Sequence, residues 1–169
     1  MQNLYMSLPF LEAVRAFMNL VAARREQLSE SKWRDVKTLR YLLGNGFKAE
    51  RPKQVISRHM LMSIAASAQY DEKRGEGGPG IRSYTRAGLR YEHVVPISTL
   101  HELLFDARLS LTATDDVLRN FYHVAWITLD EDARLNKSGM RTKMPIGWNG
   151  SNPFARYDAV GVQLEPLRE

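Results

Sequence analysis

"LRYEHVVPISTL", residues 89–100, sets a Glu-His pair inside an apolar run that Pro96 cuts short. The chain has only four histidines. One beside a carboxylate in a strand-like run is either a core residue with a satisfied partner or part of a reactive site. Residues 89–95 predict a short strand, since apolar and β-branched residues dominate them and a proline ends them.

Upstream, "DEKRGEGGPGIRSYTRAG" (71–88) is rich in glycine and charge and predicts a domain boundary or mobile loop. Its "GEGGPG" lacks the Lys-Ser/Thr and the strand–loop–helix setting of a phosphate-cradling loop, so it reads as a linker. Before it lie three apolar stripes at helical spacing. Leu11, Val14, Phe17, Met18 and Val21 predict a helix over 8–27; Val36, Leu39, Leu42 and Leu43 one over 32–43, stopped by "GNG". Val55, Ile56, His59, Met60 and Ile64 predict a third over 52–70. Residues 1–74 therefore read as a helical subdomain.

Downstream, 98–109 predicts a short helix. "TATDDVLRNFYH" predicts another, with Thr114 as N-cap and Asp115 and Asp116 at its positive end. "VAWIT" (124–128) predicts a second strand, and 129–139 a short helix stopped by Gly139. The aromatic, turn-rich tail predicts irregular chain wrapping back on the core. The expected class is α+β, mainly α, with residues 75–169 as a second module.

Composition narrows the function. The chain has 24 Lys plus Arg against 19 Asp plus Glu, a formal charge of +5, which favours an anionic partner such as nucleic acid. With no cysteine, disulfides, thiolate zinc sites and cysteine nucleophiles are excluded. No apolar run approaches a membrane span and no secretory signal is visible, so a cytoplasmic, membrane-free protein is expected. "HELLF" (101–105) lacks the second histidine of the zinc-protease helix, and His101-Glu102 reads as a surface pair. His59 reads as a packed core histidine, and Trp126 as core.

Glu92-His93 gains weight when joined to "HVAWITLDEDARLNKSGMRTKMP" (123–145). Hydrolysis of a phosphodiester needs a base near neutrality, which histidine supplies, and a divalent cation to stabilise charge on the phosphate. A carboxylate and an amide oxygen are the hard ligands Mg²⁺ accepts. Neighbouring strand residues point to opposite faces, so a bend near Pro96 is needed for Glu92 and His93 to reach one pocket. Arg90, Arg134, Lys137, Arg141 and Lys143, with Arg82 and Arg86 upstream, could grip phosphates. Asp130 and Asp132 read as helix-start carboxylates, with contact to a metal as the lesser alternative.

"EHVVPISTL" and the 123–145 stretch together resemble the HNH (ββα-metal) endonuclease family, over roughly residues 88–145. The resemblance implies His93 as general base, Glu92 as acidic metal ligand where Asp is usual, and Asn136 as the helix-borne ligand. His123 falls where the family orients its catalytic histidine, with Asn120 as fallback. The implied cofactor is one divalent cation, Mg²⁺ or Mn²⁺, and the implied substrate DNA, with RNA open. Cutting both strands with one site per chain suggests a homodimer. Two departures stand out: the 27 residues between Pro96 and Val124 predict a helical insert, and the family's paired zinc knuckles are absent. The rival readings are a non-catalytic nucleic-acid-binding module of the same fold and a small-molecule enzyme using Glu-His as an acid–base couple.

Overall fold

A computed structural model describes residues 4, 6–25, 38–39, 41–43, 60–73 and 81–167, the last range from side chain 84 onward. The fold is α+β and mainly α, with one four-stranded mixed sheet. Contacts divide the chain into two compact units, Met1–Pro52 with Ile97–Tyr122, and Lys53–Pro96 with His123–Glu169. The expected cut at 74/75 lies outside the described residues. The insert does form, as two helices, and it belongs to the same unit as the N-terminal helix.

In the helical unit, α1 (Leu8–Arg25) buries Phe10, Leu11, Val14, Met18 and Val21, close to the stripe read from spacing. They join Leu39, Leu43, Leu100, Leu104 and Leu118 in one core; each fully buried leucine stabilises the fold by roughly 1.5–3 kcal/mol. Residues 38–39 and 41–43 are helical as expected. The rest of the predicted second helix, and "GNG", lie outside the described residues. The insert supplies α4 (Ile97–Ala107) and α5 (Leu111–Phe121).

Two expectations need correction here. Ser110, not Thr114, is the N-cap of α5, accepting from Ala113 N–H at 3.2 Å. Thr114 lies a turn inside the helix, donating its hydroxyl to Ala107 O and Ser110 O. Asp115 is accordingly not at the positive end; it is buried, accepts Met6 N–H at 2.7 Å and pairs with Arg119. His101 is fully buried in this core and is not a surface residue.

The second unit holds β1 (Met60–Ser63), α2 (Ile64–Lys73), α3 (Ile81–Arg86), β2 (Leu89–His93) and β3 (Val124–Thr128). It continues with α6 (Leu129–Lys137), α7 (Ala155–Asp158) and β4 (Leu164–Pro166). The strand order is β2-β3-β1-β4; β3 pairs antiparallel with β2 and parallel with β1, and β4 antiparallel with β1. The predicted third helix is partly overturned: residues 60–63 are a central strand and helix begins at Ile64. "MLMS" is an apolar run buried between β3 and β4, and such a run looks the same as a buried helix segment by periodicity. Residues 52–59, His59 included, and the 74–80 linker lie outside the described residues. The tail is less irregular than expected, since β4 completes the sheet.

Both sheet faces are covered, which is why all five residues of β3 are buried. One face carries Leu61, Val94, Ala125, Ile127, Leu135, Met140, Tyr157 and Val162. The other carries Met62, Ala66, Tyr70, Tyr84, Ala87, Leu89 and Trp126. No described helix is long and apolar enough to cross a membrane.

Candidate functional site

β2 is an edge strand, and its register against β3 places every residue of the quoted stretch. Tyr91 pairs with Trp126, Glu92 with Ala125 and His93 with Val124. Side chains alternate along a strand. Glu92 therefore joins the face of Ala125 and Ile127, on which Leu135 of α6 packs. His93 joins the face of Trp126. Ring contacts agree: Tyr91 meets Trp126 edge-on at 5.3 Å and His93 at 5.9 Å. The predicted bend that would turn both side chains into one pocket is not made.

On the Glu92 face, α6 is defined at both ends by local chemistry. Thr128 caps it in a capping box, accepting from Glu131 N–H while Glu131 Oε2 accepts from Thr128 N–H at 2.8 Å. That carboxylate also takes the Ser63 hydroxyl at 2.6 Å, tying α6 to β1. At the other end Gly139, at φ +71°, closes a Schellman motif: Met140 N–H donates to Leu135 O and Gly139 N–H to Asn136 O. Leu135 and Met140 pack in the same cluster, the apolar contact that accompanies this motif.

A helix fixed at both ends holds Asp132 and Asn136 one turn apart. Asn136 Nδ2 donates to Asp132 Oδ2 at 3.3 Å, leaving its amide oxygen as the atom that could meet a cation. Asp132 also faces Arg90 of β2 at 3.9 Å and acts electrostatically on Glu92. Glu92 and Asn136 are thus linked through Asp132, a residue read from sequence first as a helix-start carboxylate and second as a metal contact.

Arg156, which the sequence did not single out, anchors this corner. Its side chain is 1% exposed and all its nitrogens are used. Nε donates to Val94 O at 2.8 Å, and Nη1 to Met140 O and Arg141 O. Nη2 donates to His93 O, to Tyr157 Oη and to Glu92 Oε2 at 3.4 Å. One guanidinium so ties the end of β2 to the chain leaving α6. Burial holds the Tyr157 hydroxyl at about 12, so it meets Arg156 uncharged.

Burial also pushes the Glu92 carboxyl above its ordinary range. Arg156 and Arg141 pull it down and Asp132 adds to the rise, but desolvation is the largest effect. A desolvated carboxylate beside a second one is a place where a cation relieves charge. Glu92, Asp132 and the Asn136 oxygen are hard-oxygen donors of the kind Mg²⁺ or Mn²⁺ accepts. Among the described residues no three His, Cys, Asp or Glu come together, so the amide would be the third ligand.

The other residues expected at the site do not all share this face. His123 continues the ladder, its carbonyl accepting from Val94 N–H at 2.9 Å, and alternation puts its ring on the Glu92 face against Phe154 at 5.6 Å. It is therefore across the sheet from the His93 ring that it was expected to orient. Asn120 lies on α5 of the helical unit. Arg134 is engaged by the fold, donating to Val160 O and facing Glu131. Arg86, Arg90, Lys137, Arg141 and Lys143 are exposed, while the Arg82 side chain lies outside the described residues. Trp126 is core, as expected. The capping box was visible in sequence as "TLDE" (128–131). Arg156 had no local signal, since its partner strand is more than sixty residues away. Comparison with known proteins gave no matching family model, no matching curated protein and no matching solved structure.

Proposed function

We propose that the chain is a metal-dependent endonuclease that hydrolyses nucleic-acid phosphodiester bonds, built on an HNH-like ββα site. The observation that carries this reading is the antiparallel β2–β3 pair, followed at once by α6, with Glu92, Asp132 and Asn136 linked on one face. A divalent cation held there would stabilise charge developing on the phosphate and leaving oxygen. Glu92 and the Asn136 oxygen would hold it, with Asp132 as third donor. Arg156 fixes Glu92 and the strand end, so the site is preorganised.

His93 activates the attacking water. Because β2 is an outermost one of the described strands, a phosphate laid along it would be approached by Glu92 from one face and by His93 from the other. Arg90, Arg141, Lys137 and Lys143 draw in and grip flanking phosphates, with Arg134 serving the fold more than the substrate. His123 is the alternative base, favoured by its sharing a face with Glu92.

The test is plasmid nicking with Mg²⁺ or Mn²⁺ by wild type, His93→Ala and His123→Ala. Loss of at least a hundredfold in His93→Ala alone supports the assignment. Loss confined to His123→Ala moves the base to the other face. A pure wild type that binds DNA but cuts neither DNA nor RNA with either metal leaves only the non-catalytic binding reading.

A further inference from the structure

Residues 133–157 contain five Lys or Arg and no Asp or Glu, a surplus as large as the +5 of the whole chain. Inside this stretch "PIGW" (145–148) forms a tight turn. Trp148 N–H donates to Pro145 O at 3.1 Å, and Gly147 takes φ +78°, the left-handed value a type II turn requires at its third residue. The second residue of that turn, Ile146, is fully exposed.

The turn is anchored. The Trp148 indole donates to Asn152 O at 2.7 Å, and Asn152 bonds the Asp158 carboxylate and the Phe154 N–H. Phe154 in turn packs on the Glu92-face cluster. Single exposed aliphatic residues are ordinary on protein surfaces. This one stands at the tip of a tethered turn, and Arg141 and Lys143 just before it are exposed, while Arg156 of the same stretch is buried and Arg134 is engaged by the fold.

We propose that Ile146 is an apolar wedge for nucleic acid: when a duplex lies along the 133–157 stretch, its side chain enters a base step and unstacks it. The inference rests on the nucleic-acid reading above and adds to it a deformation of the substrate beside the cutting site. Aliphatic wedges of this kind trade stacking for a kinked backbone that contacts more protein. The same chemistry could meet an anionic membrane. One aliphatic side chain is too little to hold a lipid surface, however, whereas one suffices at a base step.

The experiment uses the full chain in metal-free buffer with a DNA duplex carrying 2-aminopurine at interior positions. Its fluorescence rises when it is unstacked, and anisotropy reports binding. Wild type is expected to bind and raise the fluorescence. Ile146→Ala should melt at the wild-type temperature, bind roughly tenfold more weakly and leave the fluorescence low at saturation. Lys143→Ala should keep the rise at saturation and lower the salt slope by about one. An Ile146→Ala protein that raises fluorescence as wild type does overturns the wedge. A wild type that binds and, with Mg²⁺, nicks DNA while the fluorescence stays low overturns the wedge alone and leaves the nuclease reading standing. Failure to bind DNA or RNA overturns both. Binding to phosphatidylserine vesicles that depends on Ile146, with none to duplex, overturns it in favour of a membrane contact.

Discussion

Glu92 carries opposing demands. Its folded-state affinity for a proton is raised, chiefly by burial, so the folded state binds that proton more tightly than the unfolded chain. Its contribution to stability is thus present below the ordinary carboxylate range near 4.5 and is lost as pH rises through the elevated value. Burial outweighs the pull of Arg156, so Glu92→Gln should melt higher than wild type near neutral pH. The gain should vanish in acid, as read by thermal denaturation between about pH 4 and pH 8. Added Mg²⁺ should raise the melting temperature of wild type and not of the Gln variant. Arg156 makes the complementary case. Arg156→Met strands six acceptors, among them a largely buried carboxylate, and should cost about 3 kcal/mol or more by urea denaturation. Arg156→Lys keeps the charge but lacks the planar fork, and should fall between. The Glu-His pair was legible because two unusual neighbours interrupt an apolar run. Arg156 was not, because a buried arginine acting across the fold has no short-range pattern.

At the level of elements, α6 was legible almost to the residue. Its start and stop are local hydrogen-bonding devices written in adjacent residues, Thr128 with Glu131 and Gly139 with its Schellman bonds. They also set where Asn136 sits. Gly139→Ala meets no atom within 4 Å of the new Cβ, so its cost is conformational alone, about 1 kcal/mol for a left-handed residue. Thr128→Ala should cost roughly 1 kcal/mol by removing the cap. Both proteins should fold, and both should bind Mg²⁺ more weakly than wild type by calorimetry. β1 was misread for the opposite reason. A strand with partners on both sides reads as an unbroken apolar run, and only the pairing with β3 and β4 distinguishes it from helix. Glu92 and His93 show the same limit: alternation warned that they diverge, and the register bears the warning out.

For the whole molecule, the class was legible. Hydrophobic periodicity is local, whereas the membership of α4 and α5 in the helical unit depends on contacts between α1 and residues some ninety positions later. The charge surplus was visible in composition, but which cations stand exposed beside the Glu92 corner, Lys137, Arg141 and Lys143 among them, is visible only in the fold. Binding should therefore be steeply salt-dependent. Replacing Lys137, Arg141 and Lys143 together with alanine should reduce the slope of log affinity against log salt by close to three, with little loss of stability.

The proposed endonuclease depends on a cation held by Glu92 and its neighbours. The most direct measurement of that dependence is supercoiled-plasmid nicking over a Mg²⁺ titration by wild type and Glu92→Gln, each verified as folded. Wild type should nick saturably and in a chelator-sensitive way, and the Gln variant should not nick at any Mg²⁺ concentration despite its higher melting temperature. Nicking by Glu92→Gln with the wild-type Mg²⁺ dependence would contradict the proposal.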